Sequence, residues 1–195
     1  VHYMTVSVSL SILEYEPELS TQIDHLTESD AFLKISKIVG LGSLNSIHVD
    51  VMRPPLIPRK VAFPVDLIRR LYEEYHKKVR FAIHFMTNDP DPLIEEVNKF
   101  IEVKDRPRVS VIVHREVYGC EGDVIEALRS VKNLGYKVGI GLNLPTPVES
   151  LTREIIRNVD LVLFMSVLMG RGGQKYRHEA TGKIKRFSKD FPKVK

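Results

Sequence analysis

Apolar, β-branched runs recur along this chain, and an amphipathic stretch follows each of them. Strand-like runs fall at residues 5–12, 46–51, 79–85, 109–114, 137–142 and 161–167. Helical periodicity occupies part of residues 17–39, then 64–77, 92–103, 123–134, 147–158 and 176–187. The second helix has Pro64 in its first turn and Leu67, Ile68, Leu71 and Tyr72 along one face. Gly135 is placed to stop the helix before it. Strands that are nearly continuous apolar runs need cover on both faces. Six strand–helix units in strict alternation predict an α/β domain with a parallel sheet, one unit over residues 1–195.

Periodicity leaves two architectures open, a doubly wound sheet and a barrel. Both place their sites at the C-terminal ends of the strands, where the polar residues of this chain collect. A glycine-rich turn after the first strand would favour a dinucleotide fold, and none is present.

The balance of charge narrows the partners. A net charge of +4 favours anionic molecules, phosphorylated metabolites among them. Much of the excess lies in Lys175, Arg177, Lys183, Lys185, Arg186, Lys189, Lys193 and Lys195, which read as a solvated helix face and a tail. No nucleic-acid partner is expected, because no recognition module with interleaved aromatics accompanies them. No apolar run is long enough for a membrane span, and the first residues lack the pattern of a signal peptide. The single Cys120 excludes an intrachain disulfide. A cytoplasmic location is the expectation.

Chemistry concentrates in His48, Asp50 and His84. Residues two apart in a strand point the same way, so His48 and Asp50 share a face. His84 stands at the same end of the next strand. Two imidazoles and a carboxylate suit a divalent cation such as Zn2+ or Fe2+. A lone histidine is more often a satisfied core residue than a ligand, and residue types alone leave that alternative open.

The strand ends carry more. They read Ser11-Ile12-Leu13, Ile47-His48-Val49-Asp50-Val51-Met52, His84-Phe85-Met86, Val113-His114-Arg115-Glu116 and Gly141-Leu142-Asn143-Leu144-Pro145-Thr146-Pro147. The sixth reads Leu161 through Val167 and then Gly170-Arg171-Gly172-Gly173-Gln174. In this order and spacing, over roughly residues 5–190, the chain resembles the ribulose-phosphate 3-epimerases.

The resemblance implies a TIM-type (β/α) barrel of parallel strands, incomplete at about six βα units. It implies interconversion of ribulose 5-phosphate and xylulose 5-phosphate, with a proton removed at C3 and a metal-stabilised enediolate. His48, Asp50 and His84 match metal ligands, for Zn2+ or Fe2+, with Mn2+ or Co2+ as further candidates. Asp50 also matches one of two acid/base carboxylates. Ser11 matches a substrate-contacting serine, and Met52, Met86 and Met165 match methionines near the reacting carbon. Gly170, Arg171, Gly172 and Gly173 match the loop that holds the substrate phosphate. His114 and Glu116 are expected to support the site from behind or to serve structure, and Cys120 to be a spare thiol. The expected partners are a phosphorylated ketose and further copies of the chain, with no membrane.

Several positions depart from the family pattern. Its second carboxylate belongs to a seventh strand, and the chain ends before strands seven and eight. Arg53 stands where the family has an aspartate, Leu168 and Met169 replace Asn-Pro, and Arg171 replaces an aromatic residue. Near a cation, Arg53 would oppose binding unless its side chain turns away. These changes leave room for an impaired or non-catalytic homologue that binds a phosphorylated sugar or a partner protein. A relative of orotidine-phosphate decarboxylase is disfavoured, since residues 48–53 contain no lysine.

Overall fold

A computed structural model describes residues 6–192. Its sheet contains β1 (Val8–Ser11), β2 (Leu44–Met52), β3 (Arg80–Met86), β4 (Val109–His114), β5 (Lys137–Leu142) and β6 (Leu161–Phe164). All neighbours pair in parallel, and their spatial order is their order in sequence. A doubly wound sheet reverses that order at a switch point. This one never does, so its topology is that of a barrel wall. Residues 163–167, in and after β6, line the same cavity as Ser9 and Ser11 of β1. The sheet is therefore curled, an open arc of a (β/α) barrel.

Among the described residues, seven α-helices accompany the strands: α1 (Glu16–Thr21), α2 (Asp30–Gly40), α3 (Val65–Tyr75), α4 (Asp91–Asn98), α5 (Glu121–Asn133), α6 (Arg153–Arg157) and α7 (Glu179–Asp190). Ser29 caps α2 by accepting the Phe32 N–H at 3.1 Å, and Thr152 caps α6 by accepting that of Ile155 at 3.2 Å. Gly135 follows α5 at φ +94°, a conformation that favours glycine. None of the helices among the described residues is long and apolar enough to cross a membrane.

The alternation along each strand separates core from site. Ile47, Val49 and Val51 of β2 point outward with Phe81, Ile83 and Phe85 of β3, and all are buried beneath the helices. Leu67, Ile68 and Leu71 of α3 bury the stripe that the sequence predicts. Each such side chain contributes about 1.5–3 kcal/mol on burial. The opposite face carries Ser46, His48, Asp50 and Met52, in register with Arg80, Ala82, His84 and Met86. The interior is thus polar and sulfur-lined where the exterior is aliphatic and aromatic.

Three segments differ from the sequence expectation. Residues 17–39 hold α1, a 3-10 segment and α2 in place of one helix. Residues 147–158 hold a 3-10 turn and the short α6. β6 stops at Phe164, short of Val167. The Met165 N–H still reaches Leu142 O at 3.0 Å, but β5 ends there, and no ladder remains for the residues that follow. The expected start of β1 at Thr5 lies outside the described residues, as do Lys193 and Lys195 of the basic tail.

Part of that basic run is engaged in the fold. Lys183 of α7 donates to the carbonyls of Asn143, Leu144 and Thr146 at the end of β5, and Arg186 pairs with Glu149. Phe187 meets Phe164 edge to face, with centroids 5.2 Å apart, and fastens α7 against β6.

Candidate metal centre

β2 and β3 run in a register that sets Asp50 beside His84. His48, two residues before Asp50, shares its face. Asp50 Oδ1 lies 3.1 Å from His48 Nε2 and 3.0 Å from His84 Nδ1. The two nitrogens are 3.3 Å apart. Ser11 Oγ donates to Asp50 Oδ2 at 2.9 Å. His84 and Asp50 are buried, whereas His48 is partly open to the cavity.

The cluster continues behind His84. His84 Nε2 lies 2.6 Å from His114 Nε2, and His114 Nδ1 lies 2.9 Å from Glu116 Oε2. The Asn143 N–H donates to Glu116 Oε1 at 2.7 Å. The line of contacts crosses from β2 over β3 and β4 to the end of β5. Gly141 makes space for it, because a Cβ there would stand 3.0 Å from the His114 ring. The supporting role expected of His114 and Glu116 thus acquires a geometry. Its sequence signal is the same two-residue spacing that pairs His48 with Asp50.

Burial alone would raise the Asp50 pKa, but its contacts with His48 and His84 hold it well below the carboxylate range. Burial pushes His84 down to about 4. Burial would also raise Glu116, yet hydrogen bonds from His114, Thr146 and the Asn143 N–H bring it to about 2. At neutral pH Asp50 is ionised and His84 neutral, the states in which both bind a cation.

Two features fit a divalent ion to this cluster. Three donors about 2.1 Å from one ion, at roughly tetrahedral to octahedral angles, stand about 3.0–3.4 Å from one another. The three observed separations are 3.0, 3.1 and 3.3 Å. Proton counting agrees. The contacts from Asp50 to His84, His84 to His114 and His114 to Glu116 each need a proton or a cation between two acceptors. One proton on each ring fills two of the three contacts, and the third is open to a cation.

The cavity above the cluster has a volume of about 350 Å³. Ser11, His48, Asp50, His84, Met52, Met86, Met165, Gly170, Arg171 and Gly172 line it. Met52 and Met86 sit side by side in register and are buried, and Met165 is half-buried. Gly170 and Gly173 have φ of +113° and +64°. Gly173 is not among the lining residues. A Cβ on Gly172 would fall 2.1 Å from Glu14 Oε1, so the loop after β6 closes onto the segment after β1. Lys60 Nζ donates to Gly170 O at 2.9 Å, and Gln174 Nε2 donates to Leu168 O and Arg171 O at 2.8 Å. Among the described residues, no hydrogen bond comes from the N–H groups of residues 170–173.

Arg53 turns away from the cluster. Its guanidinium donates to Met52 O at 2.7 Å, Ala62 O at 2.6 Å and Phe63 O at 3.1 Å, and so fixes the loop of residues 53–64.

The model of the ribulose-phosphate 3 epimerase family matches residues 20–195. Ribulose-phosphate 3-epimerase of Bacillus subtilis is 30% identical over 152 residues, covering 76% of this chain and 63% of that protein. The enzyme of that name from Encephalitozoon cuniculi is 34% identical over 142 residues, covering 72% of this chain and 58% of its own. The chloroplastic ribulose-5-phosphate-3-epimerase of Arabidopsis thaliana is 27% identical over 184 residues, covering 85% and 59%. The chain spans about three-fifths of the length of these relatives. It belongs to the ribulose-phosphate 3-epimerase family.

Proposed function

We propose that this chain carries the epimerase chemistry of its family, inverting C3 of ribulose 5-phosphate to give xylulose 5-phosphate. The observation that carries the reading is Asp50. It is a buried, ionised carboxylate held by Ser11, His48 and His84 at the base of the cavity.

A proton next to a carbonyl is acidic only if the developing oxyanion is stabilised. His48, Asp50 and His84 would hold a Zn2+ or Fe2+ ion, with Mn2+ or Co2+ as substitutes, and such an ion would supply that stabilisation. Asp50 takes the C3 proton, and the Ser11 hydroxyl keeps its carboxylate in place. Met52, Met86 and Met165 surround the reacting carbon with a soft apolar wall that excludes water. The N–H groups of residues 170–173 face the phosphate, with Arg171 as a charged donor. The unengaged N–H groups and the left-handed Gly170 and Gly173 support this placement.

Among the described residues Asp50 is the one carboxylate in the cavity lining, and inversion also needs a proton delivered to the opposite face. That observation favours a second reading, a homologue that binds a phosphorylated sugar, or a partner protein, without turnover. Solvent deuterium exchange at C3 and a coupled assay for xylulose 5-phosphate separate the two. Exchange with product, both lost in Asp50→Asn, supports the epimerase. Sugar-phosphate binding with neither exchange nor product supports the second reading.

The reading takes further copies of the chain as a partner, supported by Val6 and Val8, which are exposed at the edge strand β1. Light scattering on the purified protein checks this. The cytoplasm suits the exposed single thiol Cys120.

A further inference from the structure

Both oxygens of the Glu116 carboxylate are engaged, Oε1 by the Asn143 N–H at 2.7 Å and Oε2 by His114 Nδ1 at 2.9 Å. An ionised carboxylate only accepts, so the proton of His114 sits on Nδ1. His114 Nε2 then presents a lone pair to His84 Nε2, 2.6 Å away. His84 must donate there, with its proton on Nε2. Its Nδ1 lone pair is left facing Asp50 and His48.

We propose that Glu116, acting through His114, sets the tautomer and ring orientation of His84 that leave Nδ1 free to hold a cation. Glu116 is then a positioning residue of the metal centre, and the inference rests on the metal reading above. The fold enforces the relay at each end. The Asn143 N–H belongs to the main chain after β5 and orients the carboxylate. His84 and His114 are buried in the sheet interior, where no solvent competes for their nitrogens.

Glu116→Gln keeps the shape and reverses the proton order. An amide has one accepting oxygen, which the Asn143 N–H takes. Its NH2 group then donates to His114 Nδ1, and the His114 proton moves to Nε2. His84 Nε2 must accept, so the His84 proton moves to Nδ1 and blocks the cation.

Two measurements test this. Long-range 1H–15N correlation spectra of the zinc-loaded wild-type chain report the tautomers. The expectation is a proton on His114 Nδ1 and on His84 Nε2. Competition titration of zinc against a chromophoric chelator compares wild type with Glu116→Gln. The variant is expected to bind roughly 10–100-fold more weakly, in addition to any lowering of the metal-free melting temperature from the lost carboxylate. A purely structural role would lower the melting temperature and leave the zinc affinity unchanged. Binding by the variant within twofold of wild type overturns the proposal, as does a zinc-loaded wild type with the His84 proton on Nδ1. Should the variant fail to fold, the wild-type spectra decide. If the wild-type chain itself takes up no zinc, the metal reading falls and this inference with it. Zinc uptake unchanged by Glu116→Gln removes only the relay.

Discussion

Ser11 at the end of β1 donates its hydroxyl to Asp50 Oδ2 at 2.9 Å, which leaves Oδ1 to face both His48 and His84. One carboxylate is thereby divided between an orienting contact and a cation-facing one. Ser11→Ala removes the orienting contact and leaves the rest of the cluster in place. Zinc affinity in a chelator competition is expected to fall roughly tenfold or more, since a hydrogen bond to a charged group contributes about 1.5–3 kcal/mol. The melting temperature should barely move, because Ser11 is exposed. A variant that binds zinc as wild type does would show that Asp50 is held without Ser11.

Acid should destabilise the metal-free fold, in two stages. His84 has an ordinary pKa of 6.5 that burial lowers to about 4 in the folded chain. Between those values the unfolded chain binds a proton that the folded chain refuses, so stability declines as pH falls from 6.5 towards 4. The full loss from this group is on the order of 3 kcal/mol. Glu116 behaves as a carboxylate with a depressed pKa, about 2 against 4.5. Its contribution is present above 4.5 and disappears as pH falls towards 2. Urea unfolding with a chelator present, at steps from pH 7.5 to pH 4, measures the first stage. A flat or rising stability between pH 6.5 and pH 4.5 would contradict the burial of a neutral His84.

Two glycines of β5 separate packing from site geometry. A Cβ on Gly139 would stand 2.7 Å from Ile112 Cγ1 and 2.9 Å from Leu161 Cδ1. On Gly141 it would meet His114 ring atoms at 3.0 to 3.3 Å. Both Gly139→Ala and Gly141→Ala overpack the interior and should cost about 1–3 kcal/mol in urea unfolding. Only Gly141→Ala presses on the ring behind His84, so only that variant should also lose zinc affinity. Equal zinc binding by the two variants would sever His114 from the metal centre.

How much of this was legible in the sequence varies with the physics involved. β4 and β5 are read with their true bounds, because buried strands of a parallel sheet are mostly apolar runs set between polar stretches. The positions of His48 and Asp50 follow from the two-residue period of a strand. The direction of Arg53 does not. Its three partners are carbonyls of Met52, Ala62 and Phe63, brought together by a loop whose path no periodicity encodes. The line from His84 to Glu116 depends on the registers of β3, β4 and β5, which come from pairing across the sheet. Lys183 looks like one more solvated lysine of α7, and only the packing of α7 against the end of β5 gives its ammonium three carbonyls.

Arg53 makes the sharpest contrast between electrostatic and structural readings of one residue. A cation beside the metal centre would weaken zinc binding, and its removal would strengthen it. The structure instead spends the guanidinium on three carbonyls of the loop of residues 53–64, next to Phe63 at φ +53°. Arg53→Met keeps the length of the side chain and leaves those carbonyls without their donor. The loss should be about 2–3 kcal/mol, the range for hydrogen bonds to a charged group in a half-buried setting. Limited proteolysis should cut the loop faster, while zinc affinity stays within twofold of wild type. Tighter zinc binding by Arg53→Met, with the loop still protected, would mean that the charge acts on the metal centre after all.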